Sequence, residues 1–230
     1  MPISCCSGWW WQQLGAVAVV ASWLALLTGL ARQVRNRWPQ HREWSRKLLH
    51  IGAGPVVLIA WWLNIDHRIA VPAAATVTLL AFLNHRWRIL PAVEDVGRRS
   101  YGTVAYGATF TLLLLWFWPH RPAPVAAGVL VMAMGDGLAG LLGGLLPSPS
   151  WRVLGERRSL LGTATMALVG LATLVMVASL AGPGAAPPLL ALVAIALVAT
   201  ALEQIALLGL DNLGVPLAVA GLWQLLTPAG

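Results

Sequence analysis

The sequence predicts an all-α protein, a single polytopic membrane domain over residues 1–230 with about seven to eight transmembrane helices and its N-terminus outside. Three observations carry this expectation. Hydrophobic residues make up 58% of the chain and charged residues only 10%, where a soluble domain carries about 25% charged residues; the mean hydropathy is +0.74. Apolar runs recur that approach the roughly 20 helical residues needed to cross a bilayer core. Finally, Lys and Arg are confined almost entirely to alternate connections between those runs.

The first run, residues 14–30, follows Trp9, Trp10 and Trp11 and lacks a basic segment before it. It is expected to be a retained span and not a cleaved signal peptide. Cys5 and Cys6 are adjacent and offer neither metal-ligand spacing nor a disulfide framework. Further spans are expected at residues 48–63, 69–83, 103–118, 125–146, 160–180 and 189–208, with a shorter one at 213–226. The Pro- and Gly-rich residues 182–188 form an outer loop.

Arg32, Arg35, Arg37, Arg42, Arg46 and Lys47 follow the first run. Arg86, Arg88, Arg98 and Arg99 follow the third, and Arg152, Arg157 and Arg158 the fifth. Only Arg68 and Arg121 fall on the opposite side. The positive-inside rule therefore places the three basic loops in the cytoplasm. The net charge of +7 reads as topology determinants dispersed in short loops, so no nucleic-acid partner is expected. Trp61, Trp62, Trp116 and Trp118 fall where the outer interface should lie, as interfacial anchors do.

Against this background three carboxylates stand out: Asp136 in VMAMGDGLAGLLGG, Glu203 in VATALEQIALLG and Asp211 in LDNLGVP. A charge at membrane depth costs at least a few kcal/mol, so such residues usually face a cavity and serve chemistry or transport. Other polar residues gather on the cytoplasmic side. Arg46, Lys47 and His50 open the second span, and Ser100, Gly102 and Thr103 the fourth. Arg157, Arg158, Ser159, Gly162 and Thr163 open the sixth, and Asp211 with Asn212 precedes the eighth. All four are helix N-termini, whose free N–H groups and positive dipole ends attract phosphate. Carboxylates beside cations and such helix ends suit a magnesium nucleotide. Mg²⁺ is typically held by one or two carboxylates plus substrate phosphates, and phosphoryl transfer needs mainly positioning and charge neutralisation.

Simpler roles stand beside these. Arg46 and Lys47 serve equally as inside-positive anchors, His50 as a hydrogen-bonded structural residue and Glu203 as an interfacial cap. Asp211 and Asn212 before Pro216 read as an ordinary helix start. Asp136 also suits a buried ion pair with a cation of the second or sixth span. Gly140 and Gly144 form a GxxxG pair suited to close helix packing, which explains these later glycines better than Gly135 and Gly137. Asp66, His67 and Arg68 in an outer loop, and Glu94 and Asp95 in an inner one, are expected to be solvated.

Read in order, five segments resemble the polyprenol kinase family, which includes phytol kinase, dolichol kinase and a CTP-dependent diacylglycerol kinase. They are Arg46-Lys47-Leu-Leu-His50-Ile-Gly; Ser100-Tyr-Gly102-Thr103; Gly135-Asp136-Gly137-Leu-Ala-Gly140-Leu-Leu-Gly143; Gly155-Glu-Arg157-Arg158-Ser159-Leu-Leu-Gly162-Thr163; and Glu203 followed by Leu210-Asp211-Asn212-Leu213-Gly-Val-Pro216. The resemblance is greatest to the bacterial and plastid phytol kinase branch. It implies phosphoryl transfer from a nucleoside triphosphate, usually CTP, to the primary hydroxyl of an isoprenoid alcohol such as phytol or geranylgeraniol, with Mg²⁺ as cofactor. By the same resemblance, residues 155–163 are the nucleotide-binding loop; on the charge pattern, Arg157 and Arg158 with Arg46 and Lys47 are expected to neutralise the triphosphate. Asp136, Glu203 and Asp211 are then the acidic and metal-holding residues, and a carboxylate or His50 orients the hydroxyl as base. Where the family usually has Lys before the Ser of the loop, this chain has Arg158, which keeps the charge and grips phosphate bidentately.

Two other functions are weighed. A cytidylyltransferase making CDP-lipids would carry a Lys/Arg/Asp/His signature near the C-terminus, which this chain lacks. A secondary transporter using Asp136 would show two similar halves, and none is evident. The expected host is a bacterial plasma membrane or a photosynthetic membrane, with the active site on the cytoplasmic side.

Overall fold

In the chain, each apolar run forms helix because it is rich in Leu and Ala, and in lipid a helix satisfies every backbone group within one segment. The computed structural model describes residues 4–87 and 101–228. Ser100, together with Arg88, Arg98, Arg99, Glu94 and Asp95, lies outside the described residues.

The helices are α1 (Ser4–Arg37), α2 (Arg42–Ala53), α3 (Val56–Trp62), α4 (His67–Trp87), α5 (Gly102–Phe117) and α6 (Pro122–Leu130). After α6 the chain passes through a π-helical turn (Val131–Asp136) into α7 (Gly137–Leu145). A hairpin of β1 (Ser150–Val153) and β2 (Glu156–Ser159) leads to α8 (Leu160–Ala181), α9 (Leu189–Ile205) and α10 (Asp211–Leu226). Every expected span is thus helical, and the protein is a helical membrane bundle. Gly8–Arg37, His67–Trp87, Pro122–Leu145 and Leu160–Ala181 are each long and apolar enough to cross a bilayer alone.

Three features differ from the sequence expectation. First, α1 continues through Arg32, Arg35 and Arg37, placing cations in its last turn where the helix dipole favours them. Second, the run at 48–63 is two helices. Pro55 carries no N–H, so the ladder breaks at Gly54-Pro55. A Cβ on Gly54 would sit 2.5 Å from the Ala133 methyl, so the break presses against the π turn. Third, the basic segment before α8 is a hairpin. Leu154 and Gly155 have φ of 51° and 87°, as a two-residue turn matched to strand twist demands. The register sets Arg152 opposite Arg157 and Trp151 opposite Arg158.

The core runs along α6 and the π turn, where Val125, Ala127, Val129, Val131 and Met132 are wholly buried. A helix apolar all round belongs inside, and α5, α8 and α10 cover this one. Gly128 lets α10 approach so closely that a Cβ there would lie 2.5 Å from the Pro216 carbonyl oxygen. Pro216 has a second effect: it leaves the Asn212 carbonyl, one turn earlier, without a helical donor. Thr109 of α5 fills the gap, its Oγ1 donating to that carbonyl at 2.7 Å. Removing the hydroxyl would leave a buried acceptor unpaired, at a cost of about 1–3 kcal/mol. Thr109→Val is therefore expected to lower the unfolding temperature in detergent, whereas Thr109→Ser should hold it near the original value.

Candidate active site

The π turn ends on Asp136, and such turns are frequent at functional sites because they break helical register locally. Asp136 faces α2. Lys47 Nζ donates to Asp136 Oδ2 at 2.7 Å and to its backbone oxygen at 3.1 Å. His50, one turn further along α2, places Nε2 3.4 Å from the same Oδ2 and 3.3 Å from the Met132 carbonyl oxygen. Tyr106 of α5 stacks on the His50 ring at 4.6 Å and donates its hydroxyl to the His50 carbonyl at 3.2 Å. The ion pair with a second-span cation is thus present, through Lys47.

A second pair joins the hairpin to α9. Arg158 Nη1 donates to Glu203 Oε1, and Nη2 donates to the Ala206 carbonyl at 3.1 Å. Gln204 Nε2 donates to the other Glu203 oxygen at 2.7 Å and to Thr163 Oγ1 at 3.0 Å. Gln204 was not anticipated; its signal was a second polar residue beside Glu203 in an apolar run.

Both pairs open onto one polar cavity of about 550 Å³. Lys47, Asp136, Arg157, Arg158, Glu203 and Asp211 line it, contributed by α2, the π turn, the hairpin, α9 and α10. Arg46, Ser159, Gly162, Thr163 and Asn212 border it as well. The cavity thus brings together residues from distant parts of the sequence.

Other expectations need correction. Gly155 occupies the hairpin turn and does not line the cavity. Gly135 and Gly137 are packing residues: a Cβ on Gly135 would sit 2.7 Å from Met166 Sδ, and one on Gly137 would strike Ile51. The GxxxG pair does not act as a pair. Gly140 packs on the Lys47 side chain, Gly143 on Ser159 and Gly162, and Gly144 touches nothing within 4 Å. Nor does α8 offer free amides to phosphate. Leu160 N–H donates to the Pro149 carbonyl at 2.9 Å, Leu161 N–H to Ser148 Oγ at 3.4 Å, and Gly162 N–H to Ser159 Oγ at 3.2 Å. The positive groups that remain facing the cavity here are the arginine and lysine side chains.

The three carboxylates do not gather around one point. Among the described residues no three His, Cys, Asp or Glu groups lie close enough to hold one metal ion. Asp136 is held by Lys47 and Glu203 by Arg158; among the described residues both oxygens of Glu203 are engaged, whereas Asp136 is bonded through Oδ2 and Asp211 through Oδ1, which accepts from Asn212 N–H at 3.0 Å. The cavity nevertheless has unfilled bonding capacity. Arg158 Nε, Gln204 Oε1 and Asn212 Oδ1 are buried without partners, and buried polar atoms are normally paired. All three belong to cavity-lining residues, so the walls fit a polar ligand better than an empty interior.

Beside this cavity lies an apolar groove of about 430 Å³ between α1, α2, α3, α4 and α5. Gly102 and Thr103 line the groove, not the polar cavity. Arg46 and Asn212 border both spaces, and the His50–Asp136 contact bridges them, since His50 lines the groove and Asp136 the cavity.

The chain is 38% identical to the phytol kinase of Synechocystis sp. over 206 residues, covering 89% of this chain and 88% of that protein. The chain belongs to the polyprenol kinase family. Within the family it stands near the phytol kinase branch. No family profile and no solved structure matches it.

The glycines of α7 are distinguishable by experiment. Gly140→Ala places a methyl 2.7 Å from Lys47 Nζ and should displace the cation from Asp136, lowering thermal stability. Gly144→Ala meets open space and should leave stability unchanged or raise it by up to about 1 kcal/mol. Equal losses for both would restore the GxxxG interpretation.

Proposed function

We propose that the protein is a lipid-alcohol kinase that transfers the terminal phosphoryl group of a nucleoside triphosphate, CTP, to an isoprenoid alcohol such as phytol or geranylgeraniol. The observation that carries this is the meeting of a polar cavity lined by cations and carboxylates and an apolar groove at one bridged contact, His50 with Asp136. Similarity to a phytol kinase supports the same chemistry, and CTP as donor rests on the motif resemblance.

The triphosphate sits in the polar cavity, where exposed Arg157 and partly buried Arg158 neutralise its charge. The alcohol lies in the groove with its hydroxyl at the junction. Buried Asn212 Oδ1 there offers an acceptor without a protein partner. The hydroxyl oxygen bonds to the terminal phosphorus in line as the bond from that phosphorus to the bridging oxygen breaks. The hydroxyl proton passes to the His50–Asp136 pair, and the products are a lipid monophosphate and a nucleoside diphosphate. Tyr106, stacked on His50, is a positioning residue for that pair. Asp136 and Asp211, each with a second oxygen to spare, would hold Mg²⁺, which supplies charge neutralisation on the phosphates. Glu203 is assigned to holding Arg158. By the inside-positive distribution of cations, the cavity opens to the cytoplasm of a bacterial plasma membrane or its photosynthetic equivalent.

The test is purified protein, labelled CTP and liposomes carrying phytol or geranylgeraniol. A labelled lipid monophosphate is expected. Asp136→Asn, which keeps volume but removes the charge, should cut turnover by about a thousandfold or more while the protein still elutes as a folded species in detergent. Formation of a CDP-lipid from added phosphatidic acid, or near-normal kinase activity in Asp136→Asn, would overturn the assignment.

A further inference from the structure

We propose that the stacked rings of His41 and Trp44 are the platform for the base of the nucleoside triphosphate, which lies in the slot between them and Gly144; this rests on the kinase reading above, which leaves the base without a place. Three rings recur every third residue where α1 gives way to α2: Trp38, His41 and Trp44. His41 N–H donates to the Trp38 carbonyl at 2.9 Å, and Trp44 N–H to the His41 carbonyl at 3.0 Å. Turns of that kind eclipse the side chains at i and i+3. His41 therefore lies flat against Trp44, with ring centroids 4.4 Å apart and planes 10° from parallel. Trp38 meets Trp44 at 5.9 Å, tilted by 58°.

His41 and Trp44 line the polar cavity itself. Along α2 that wall grades from buried Lys47, held by Asp136, through partly buried Trp44 to exposed His41. His41 stands roughly 9 Å along the axis from Lys47, beyond the reach of a phosphate bound there. This end does not suit phosphate either. Its cation, Arg46, is committed to Glu43 Oε2, with donors at 2.7 and 3.0 Å. What remains of a nucleotide to fill an aromatic-walled end is its base, and every base has a π face that stacks on such rings.

The facing wall leaves the slot open. α7 runs antiparallel to α2: a Cβ on Gly137 would meet Ile51, and one on Gly140 would meet Lys47. The next step along the same helix face is Gly144, which falls opposite Glu43 and Trp44. Yet a Cβ there would find nothing within 4 Å, although Gly144 lines the same cavity. Two helices that touch over successive turns thus part at the next one, with rings on one side and a glycine on the other. A flat ring fits such a gap, where a tetrahedral phosphate would gain little. A tryptophan that only anchored the protein at the bilayer surface would face the membrane interface; Trp44 shares its cavity with Lys47, Asp136 and Arg157.

The experiment measures binding of CTP, UTP and inorganic tripolyphosphate to the purified full chain in detergent with Mg²⁺ and no alcohol. Trp44→Leu should weaken CTP and UTP by about tenfold or more, the cost of one lost base–aromatic stack, and leave tripolyphosphate affinity unchanged. Trp44→Phe should keep most of the nucleotide affinity. Gly144→Leu, whose side chain enters open space, should show the same nucleotide-specific loss with an unfolding temperature no lower than that of the unaltered protein. In turnover, Trp44→Leu should raise KM for CTP and leave kcat and the KM for the alcohol near their original values. Nucleotide affinity unmoved by Trp44→Leu, or equal losses for nucleotide and tripolyphosphate, would overturn the platform while leaving the kinase reading intact. An unaltered protein that binds neither CTP nor tripolyphosphate removes both.

Discussion

The structure is organised around one electrostatic constraint: a carboxylate, Asp136, placed on the most buried helix of a membrane protein. An ion left alone in such a place is expensive enough that it must be paired or hydrated. Lys47 supplies the pairing from a different helix, and this contact, together with those of His50 to Asp136 and Met132, ties α2 to the π turn. Gly54 and Gly140 permit that approach, each because a side chain there would collide with its partner across the interface. The break at Pro55 then lets α3 continue in its own direction along the groove.

The same constraint recurs at Arg158 and Glu203, and the repetition has a functional consequence. In the proposed function, the cations that stabilise buried carboxylates in the resting protein are also the ones that would neutralise a triphosphate. In the cavity walls Lys47 and Arg158 are already paired with Asp136 and Glu203, and exposed Arg157 has no carboxylate partner among the described residues. Among the described residues the carboxylates form no cluster of three that could hold a metal ion. Mg²⁺ that keeps most of its ligands as phosphate oxygens and water needs only one or two carboxylates.

Much of this was legible in the sequence because membrane helices announce themselves by length and hydropathy, and because charge at membrane depth is rare. Asp136, Lys47, His50, Arg158, Glu203 and Asp211 could be named from those two facts and the motif order. Features that depend on local geometry could not. SWRV and ERRS are too short and too polar to show a strand period, which hides the hairpin, and Gly155, a nucleotide-loop residue by resemblance, sits in its turn. Gly135, Gly137 and Gly144 illustrate the converse. Their spacing suggested roles that only the neighbouring side chains decide. The amides of α8 looked available by position, yet Ser148, Pro149 and Ser159 already satisfy them.

The most direct test of the central claim is the coupling between Lys47 and Asp136, measured as a double-mutant cycle of unfolding free energy in detergent with Lys47→Met, Asp136→Leu and the double variant. Each single change strands a buried charge and is expected to cost about 3–5 kcal/mol, while the double variant should recover most of that loss. Additive single effects, with no coupling beyond about 0.5 kcal/mol, would show that the two residues do not meet and that the site as described does not exist.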